Sequence, residues 1–293
     1  MKTLNIIMSL LSLLPLCSRA QHGMSYNQFG QLRNSFNSSL STMDERGSFA
    51  ALGRSQWTGV DGAPRSVWVT GHGMVKNLGL AIGGDFKHAS LGVVRENEIT
   101  AYVAKAVRLG EDEYLSLSMG GGLLFYEGNY RQLDDQDPAF WEDVRGTAGV
   151  LSVSTSYYQK DKFYVGVAMP RFSLKRNIER EYEFRDVIYV TGGMLIRLDD
   201  TFRLRPSFLV SHMQEMTPRY DVSVLAFMGP KIGLGMGVQN QGDLSGLLQL
   251  NFGNFGVGYS YQFSVSGHTL NQKISTNTHE MGFRYRVGGM SFL

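Results

Sequence analysis

The sequence predicts an all-β fold, a transmembrane antiparallel outer-membrane β-barrel of about 14 strands. Segments of about ten residues alternate between apolar and small or polar side chains, as the strands of such barrels do. After the N-terminus, no apolar run approaches the ~20 residues that a membrane helix needs. The connections between the segments also alternate between short and long. With 35 glycines and 12% aromatic residues, the composition suits strands joined by tight turns.

The first twenty residues differ from the rest of the chain. Lys2 precedes an apolar run from Leu4 to Leu16, and Ser18 and Ala20 stand where a signal peptidase requires small residues. We expect residues 1–20 to be a secretory signal peptide, because the run is too short for a membrane anchor. Cys17 follows a leucine, which a lipoprotein signal disfavours. Cleavage would leave a mature chain without cysteine, and therefore without a disulfide or a thiol nucleophile.

Period-two alternation defines the predicted strands. In residues 231–239, Ile, Leu, Met and Val alternate with three glycines, and residues 254–263 alternate aromatic or Val with Gly, Ser and Gln. The predicted strands are Arg46–Gln56, Arg65–His72, Leu78–Lys87, Glu98–Leu109, Glu113–Tyr126, Thr147–Gln159, Lys162–Arg171, Phe184–Leu198, Thr201–Met213, Arg219–Met228, Lys231–Asn240, Leu244–Phe252, Asn254–Phe263 and Thr278–Val287.

The connections predict an orientation for the barrel. If the N-terminus is periplasmic, every second connection is a short periplasmic turn, and the others face the exterior. The long exterior connections include His88–Asn97, Glu127–Gly146, Phe172–Glu183 and Ser264–Asn277. The polar residues 21–45 form a periplasmic lead-in or a segment that enters the barrel, and residues 46–293 form the barrel itself.

Few residues suggest catalysis or metal binding. No hydrolase, phosphate-binding or zinc signature occurs, and we expect no enzyme activity, cofactor or metal. An outer-membrane hydrolase would have Ser211, His212 and His268 as loose candidates, and Asp134, Asp135 and Asp137 form at most a weak calcium-like cluster. A net charge of +2 is too small to create the positive surface potential that would attract nucleic acid.

Charged residues on predicted strands are expected to face the lumen, since charge on the lipid side costs about 2–4 kcal/mol at mid-bilayer. His279 and Glu280 are adjacent on one strand, so their side chains point to opposite faces. The lumen charges could form an ionic network that fills the barrel, which we favour, or a ring that selects solutes. They are Arg203, Arg205, Glu280, Arg284 and Arg286.

Six short stretches of the chain resemble segments of one known protein family. The stretch "SQWTGVDGAP" resembles that family's tryptophan signature through Trp57, Gly59, Gly62, Ala63 and Pro64. The stretches "YNQF", "LGLAIGGD", "LRPS" with Pro206, "GVGYSYQ" and "THEMGFRY" with His279 and Glu280 are similar to further segments of it, in the same order. The chain thus resembles the PorP/SprF family of type IX secretion and gliding proteins of Bacteroidetes. Residues 37–44 depart from the family, because they read "NSSLSTMD" where it often has an "NPAYAG"-like segment.

The stretch Ser55–Pro64 is also expected to be a structural corner at the outer rim. Trp57 suits an aromatic girdle at the membrane interface. Glycines and proline supply the turn, and Asp61 is expected to cap it.

The resemblance implies a non-enzymatic outer-membrane component surrounded by lipid. Its implied partners are the periplasmic ring lipoprotein, that lipoprotein's partner protein and a secreted adhesin-like substrate, with no nucleic acid. An outer-membrane porin or small-hydrophobe transporter is the alternative hypothesis, and an outer-membrane hydrolase is the least favoured one.

Overall fold

The computed structural model describes residues 26–133, 136–173, 186–213, 216–240, 242–264 and 277–288, so the expected signal peptide lies outside the described residues. Fourteen strands follow one another along the chain. They are β1 Gly47–Gln56, β2 Arg65–Val75, β3 Leu80–Leu91, β4 Val94–Arg108, β5 Glu113–Gly128, β6 Val144–Gln159, β7 Phe163–Ser173, β8 Val187–Met194 with its continuation Ile196–Arg197, β9 Phe202–Met213, β10 Arg219–Met228, β11 Ile232–Gln239, β12 Asp243–Phe252, β13 Phe255–Ser264 and β14 Thr278–Val287.

The sheet closes on itself. Each strand pairs antiparallel with the next, and β14 pairs with β1 in a register that places Val287 opposite Gly47 and Thr278 opposite Gln56. Both parts of β8 pair with β9, so they form one strand interrupted at Leu195. Closure satisfies the backbone groups that an open edge would expose to lipid. The predicted fold class and strand number are confirmed. Among the described residues, no helix is both long enough and apolar enough to cross a membrane.

The two faces of the sheet differ as the alternation predicts. On β5, Leu117 and Met119 point outward and are 59% and 68% exposed, whereas Ser116 and Ser118 point inward and are buried. The outer surface therefore offers an apolar band to lipid, and the inner surface is polar and packed.

The two ends of the barrel also differ. At the end we call the short-turn end, the strands are joined by residues 76–79, 109–112, 160–162, 198–201, 229–231 and 253–254. The other end, called the long-loop end, carries longer connections such as residues 57–64 and 129–143.

Two predicted loops at the long-loop end are shorter than expected. In place of the loop His88–Asn97, β3 and β4 continue to a hairpin at Gly92, which has φ +56°. The polar residues there pair across the strands, as His88 Nδ1 does with Asn97 Oδ1 at 2.8 Å. The sequence predicted a loop because these strand residues are polar on both faces. Likewise, β5 and β6 extend into the predicted loop Glu127–Gly146.

Residues 26–44 lie inside the barrel, and Glu45 is exposed where it pairs with Lys160. They contain a short helix, α1 (Arg33–Phe36), followed by a 3₁₀ turn (Ser38–Met43). Phe36 and Leu40 are 1% and 0% exposed. We call residues 26–44 the lumen segment.

The tryptophan-bearing corner joins β1 and β2 at the long-loop end. Trp57 has φ +48° and is 39% exposed. The corner rests on the neighbouring hairpin, because Gly92 N donates to Gly62 O at 2.8 Å. The turn is held by backbone bonds from Val60 N to Trp57 O and from Ala63 N to Val60 O, and the cap from Asp61 stays a prediction.

We predict that Trp57→Ala lowers the yield of assembled barrel, because an aromatic side chain at the membrane interface is lost. The measurement is the heat-modifiable folded fraction on semi-native gels of outer membranes. Trp141→Phe, at another exposed tryptophan, serves as the control. Normal assembly of Trp57→Ala together with loss of partner binding would instead make the corner a docking site.

Candidate functional site

An aromatic cluster joins the lumen segment to the barrel wall. Tyr26, Phe29, Leu32 and Phe36 of the segment pack with Ala50, Leu52, Trp68 and Leu209 of the wall. The Phe36 ring lies 5.0 Å from that of Trp68 in an edge-on arrangement, and the Tyr26 ring lies 5.4 Å from it. Such pairs add about 0.5–1.5 kcal/mol each beyond the burial of their apolar area. The segment therefore completes a hydrophobic core inside the lumen.

A layer of hydroxyl groups holds the next part of the segment. Ser39 Oγ donates to Ser156 Oγ at 2.7 Å, and Ser38 Oγ lies 2.9 Å from Ser118 Oγ. Asn37 Nδ2 donates to the carbonyl of Thr155 at 3.0 Å. Gly166 makes this approach possible, since a Cβ there would lie 2.4 Å from Asn37 Nδ2. The segment is thus fitted to the wall through neutral hydrogen bonds.

Glu280 ties the backbone of the lumen segment to the wall. Its carboxylate accepts from Asn27 N at 2.9 Å and from Gln28 N at 3.1 Å. It also pairs with Arg54, and the two side chains are 0% and 3% exposed. Ser260 Oγ donates to the same carboxylate at 3.3 Å. This buried pair has the additional hydrogen bonds that a buried ion pair needs.

Asp44 anchors the other end of the segment, near the short-turn end. Its carboxylate lies 3.0 Å from Arg33 Nη2, 3.2 Å from His72 Nε2 and 3.6 Å from Arg286 Nε. Burial alone would raise the pKa of Asp44, but the guanidinium groups of Arg286 and Arg33 and the contact with His72 hold that pKa well below its ordinary value. Asp44 is therefore ionised at neutral pH.

A third network lies on β2, β3, β4 and β7. Trp68 Nε1 donates to Asp85 Oδ1 at 3.0 Å, and Lys87 Nζ lies 4.1 Å from the Trp68 ring centroid. Glu98 lies 3.4 Å from Lys87 and 3.5 Å from Arg171. These pairs fix the wall behind the aromatic cluster.

The structure places the predicted lumen charges as follows. Arg205, Glu280, Arg284 and Arg286 are buried in the lumen, and Arg203 is half-buried on the same face of β9. Sequence reasoning did not select Arg54 or Asp44, which hold the segment in place. The rule that a charged side chain on a predicted strand faces the lumen applies to Arg54 on β1 as it does to Arg284 on β14, and this signal could have identified it.

The other predicted residues lie apart from one another. His279 points outward, where its Nδ1 is 2.7 Å from Tyr259 Oη, and Pro206 is half-buried on the outer face of β9. Ser211 and His212 are on opposite faces of β9, so they cannot pair with each other, and His268 lies outside the described residues. Asp134 and Asp135 also lie outside it, and no metal-binding group of three His, Cys, Asp or Glu occurs within it.

Two small cavities lie in the described part of the lumen, and each has room for about one water molecule. The first is lined by residues of the lumen segment and by Arg205, and the second by Asp85, Lys87 and Tyr102, among others. The geometry supports a packed interior that positions the rims of the barrel.

We predict that Glu280→Gln destabilises the barrel by about 3–5 kcal/mol, because Arg54 would remain buried without its carboxylate. The measurement is urea unfolding in lipid vesicles, followed by tryptophan fluorescence. Glu127→Gln is the matched control, since its pair with Arg145 is exposed and worth about 0–1 kcal/mol. Equal effects of the two substitutions would contradict the anchoring role of Glu280.

Comparisons with solved structures give likenesses at low identity. The CymD monoaromatic hydrocarbon channel is 10% identical, with a TM-score of 0.50 over 90% of this chain and 94% of that chain. The outer-membrane protein Omp33 of Acinetobacter baumannii is 11% identical, with a TM-score of 0.49 over 84% of this chain and 100% of that chain. A Pseudomonas aeruginosa FadL homologue is 9% identical, with a TM-score of 0.44 over 86% and 93%. The likeness to CymD shows the barrel fold alone, and the two weaker likenesses add nothing to it.

The family is shown by the sequence itself. No curated protein matches the chain. The model of the family described as type IX secretion system membrane protein PorP/SprF matches residues 18–285, nearly the whole chain. The match spans the lumen segment and thirteen complete strands of the barrel, and it reaches into β14. The chain therefore belongs to the PorP/SprF family of type IX secretion system membrane proteins.

Proposed function

We propose that this outer-membrane component of the type IX secretion system acts as a docking protein. Its short-turn end would meet the periplasmic ring lipoprotein and that lipoprotein's partner protein, and its long-loop end would receive a secreted, adhesin-like substrate. The observation that carries the proposal is the family membership together with a lumen filled by residues of the chain itself. The proposal also includes export by residues 1–20 and a part in gliding.

The short-turn end has features that suit a docking surface. Three of its turns present leucines that are about 60% exposed, namely Leu78, Leu109 and Leu198. Acidic side chains accompany Leu109 and Leu198, at Glu111, Asp112, Asp199 and Asp200, and Lys76 accompanies Leu78. The turns are well fixed: Leu109 N donates to Glu113 O at 2.9 Å, and Asp199 Oδ1 accepts from Thr201 N and Phe202 N at 2.7 Å. Preorganised turns with apolar and acidic tips favour a stable protein contact.

A porin or small-hydrophobe transporter is the second candidate function. The likeness to CymD favours it, since that protein is described as a monoaromatic hydrocarbon channel. The filled lumen argues against it, because a diffusing solute needs a continuous path through the barrel. In the described ranges, the aromatic cluster, the hydroxyl layer and the Glu280 and Asp44 contacts all lie across that path.

We predict that the double change Glu111→Lys and Asp200→Lys reduces co-purification of periplasmic ring components several-fold. Reversing exposed charges at an interface slows association and weakens the complex. The measurement is affinity purification of the tagged protein from native outer membrane, followed by quantitative mass spectrometry. The double change Asp61→Lys and Glu142→Lys, an equal change in charge at exposed positions of the long-loop end, is the control and should leave recovery unchanged. Absence of ring components from the wild-type sample would sink the docking proposal.

We also predict that the purified protein gives no steady single-channel conductance in planar lipid bilayers. The lumen segment blocks the ion path, and its burial and hydrogen bonds hold it in place. A known general porin reconstituted in parallel shows that the bilayer reports channels. Regular current steps from the wild-type protein would support the porin alternative.

A further inference from the structure

A row of arginines crosses the outward face of the barrel at the long-loop end. The strand register places Arg65 of β2 opposite Ser90 of β3, and Ser90 opposite Arg95 of β4. It continues from Arg95 to Glu127 of β5 and from Glu127 to Arg145 of β6. Directly opposed residues have Cβ atoms about 4.5–5.5 Å apart, so these side chains form one continuous patch. We call these five residues the outer arginine row.

The alternation of burial shows that the row faces away from the lumen. Ser66 and Glu98 are buried inside the barrel, and Arg65 and Arg95 stand on the opposite faces of the same strands. Both arginines are exposed, and so is Arg145, whose side chain is 74% accessible. The row therefore belongs to the surface of the barrel that lipid surrounds.

The row also marks the edge of the apolar band. On the same face, Val67 and Phe125 follow it two positions along β2 and β5, and Ile99 follows it four positions along β4. An outward-facing arginine is strongly destabilising at mid-bilayer and nearly neutral at the interface. The exposed Trp57 stands at the same end of the barrel, as aromatic residues of an interface girdle do. The row thus lies at the level of the lipid headgroups.

The arginines of the row have donors to offer. Arg145 Nη2 lies 3.2 Å from Glu127 Oε1, but that pair is exposed and contributes little. Within the described ranges, no hydrogen bond or ion pair engages the side chain of Arg65 or Arg95. Three arginines and one glutamate give the row a net charge of +2. Two of its guanidinium groups are therefore free to bind an anion.

The position of the row decides which anion it can meet. An outward side chain at the edge of the apolar band contacts the headgroups of the surrounding lipid. In the orientation that the short and long connections predict, these headgroups belong to the outer leaflet. Acidic residues such as Asp61 and Glu142 lie in the connections at this end, outside the strands that carry the row. Arginine binds phosphate through charge-assisted hydrogen bonds, so a phosphorylated headgroup complements the row.

We propose that the outer arginine row binds the phosphate groups of the lipid in the outer leaflet. Arg65 and Arg95 are the principal contacts, and Ser90, which lies between them in the register, adds a hydroxyl donor. Lipid bound here holds β2–β6 at a fixed depth in the membrane and orients the long-loop end toward the exterior. The inference rests on the orientation of the barrel and not on the proposed protein partners.

Native mass spectrometry of the purified protein in a non-ionic detergent tests the proposal. The probes are lipid A, a phosphorylated glycolipid, and the same lipid after enzymatic removal of its phosphates. We expect the wild type to bind the phosphorylated lipid at least tenfold more tightly than the dephosphorylated one. Each arginine beside an anionic lipid surface contributes about fivefold in affinity. The double change Arg65→Gln and Arg95→Gln should therefore weaken binding of the phosphorylated lipid at least tenfold.

Two further variants separate lipid binding from loss of charge and from misfolding. The matched control is the double change Lys105→Gln and Arg197→Gln, which removes the same charge at exposed positions toward the short-turn end. It should bind the phosphorylated lipid as the wild type does. The double change Arg65→Lys and Arg95→Lys keeps the positive charge, so it should regain most of the affinity that the glutamine variant loses.

Three results would overturn the proposal. The first is equal binding of the two lipids by the wild type. The second is an equal loss of affinity in the glutamine variant of the row and in the short-turn control. The third is displacement of the bound lipid by the same concentration of inorganic phosphate, which would make the row a site for a soluble oxyanion instead.

Discussion

The Glu280 carboxylate is the interaction on which the arrangement of the lumen depends. It accepts hydrogen bonds from two backbone amides of the lumen segment and pairs with Arg54, which is itself buried on β1. β1 and β14 are the strands that close the barrel. One carboxylate therefore fixes the closing seam and the entry of the segment together. Removing it would leave both a buried guanidinium and two backbone donors without an acceptor.

Closure and filling of the barrel support each other physically. A closed sheet of 14 strands encloses more space than its own inward side chains fill, since many of these are Ser, Gly or Thr. The lumen segment supplies the missing volume through Phe36, Tyr26 and Leu40, which are nearly fully buried. In return, the wall supplies partners for the segment's polar groups, as Ser156 does for Ser39 and Thr155 does for Asn37. A short helix of four residues could not be stable without these contacts.

The barrel was predictable from the sequence because its cause is local. Lipid on one face and a packed lumen on the other impose period two on every strand, and the pattern on β11 or β13 is visible in ten residues. The hairpin at Gly92 was not predicted, because polar residues such as His88 and Asn97 form its paired strands and the apolar alternation does not extend to them. The site was less predictable. Arg54 and Asp44 are far apart in sequence from Glu280 and Arg286, and only the closed register brings them together.

The filled lumen changes what the fold can do. In a barrel with an open interior, polar wall residues meet water and solutes. Here those residues hold the chain's own backbone, so the surfaces left for recognition are the two rims. At the short-turn rim, fixed turns carry exposed leucines together with acidic and basic side chains. Turns that are already ordered lose little conformational entropy on association, and exposed apolar side chains supply area to bury. Such a rim suits contact with another protein better than passage of a solute, which is the physical argument for the docking proposal.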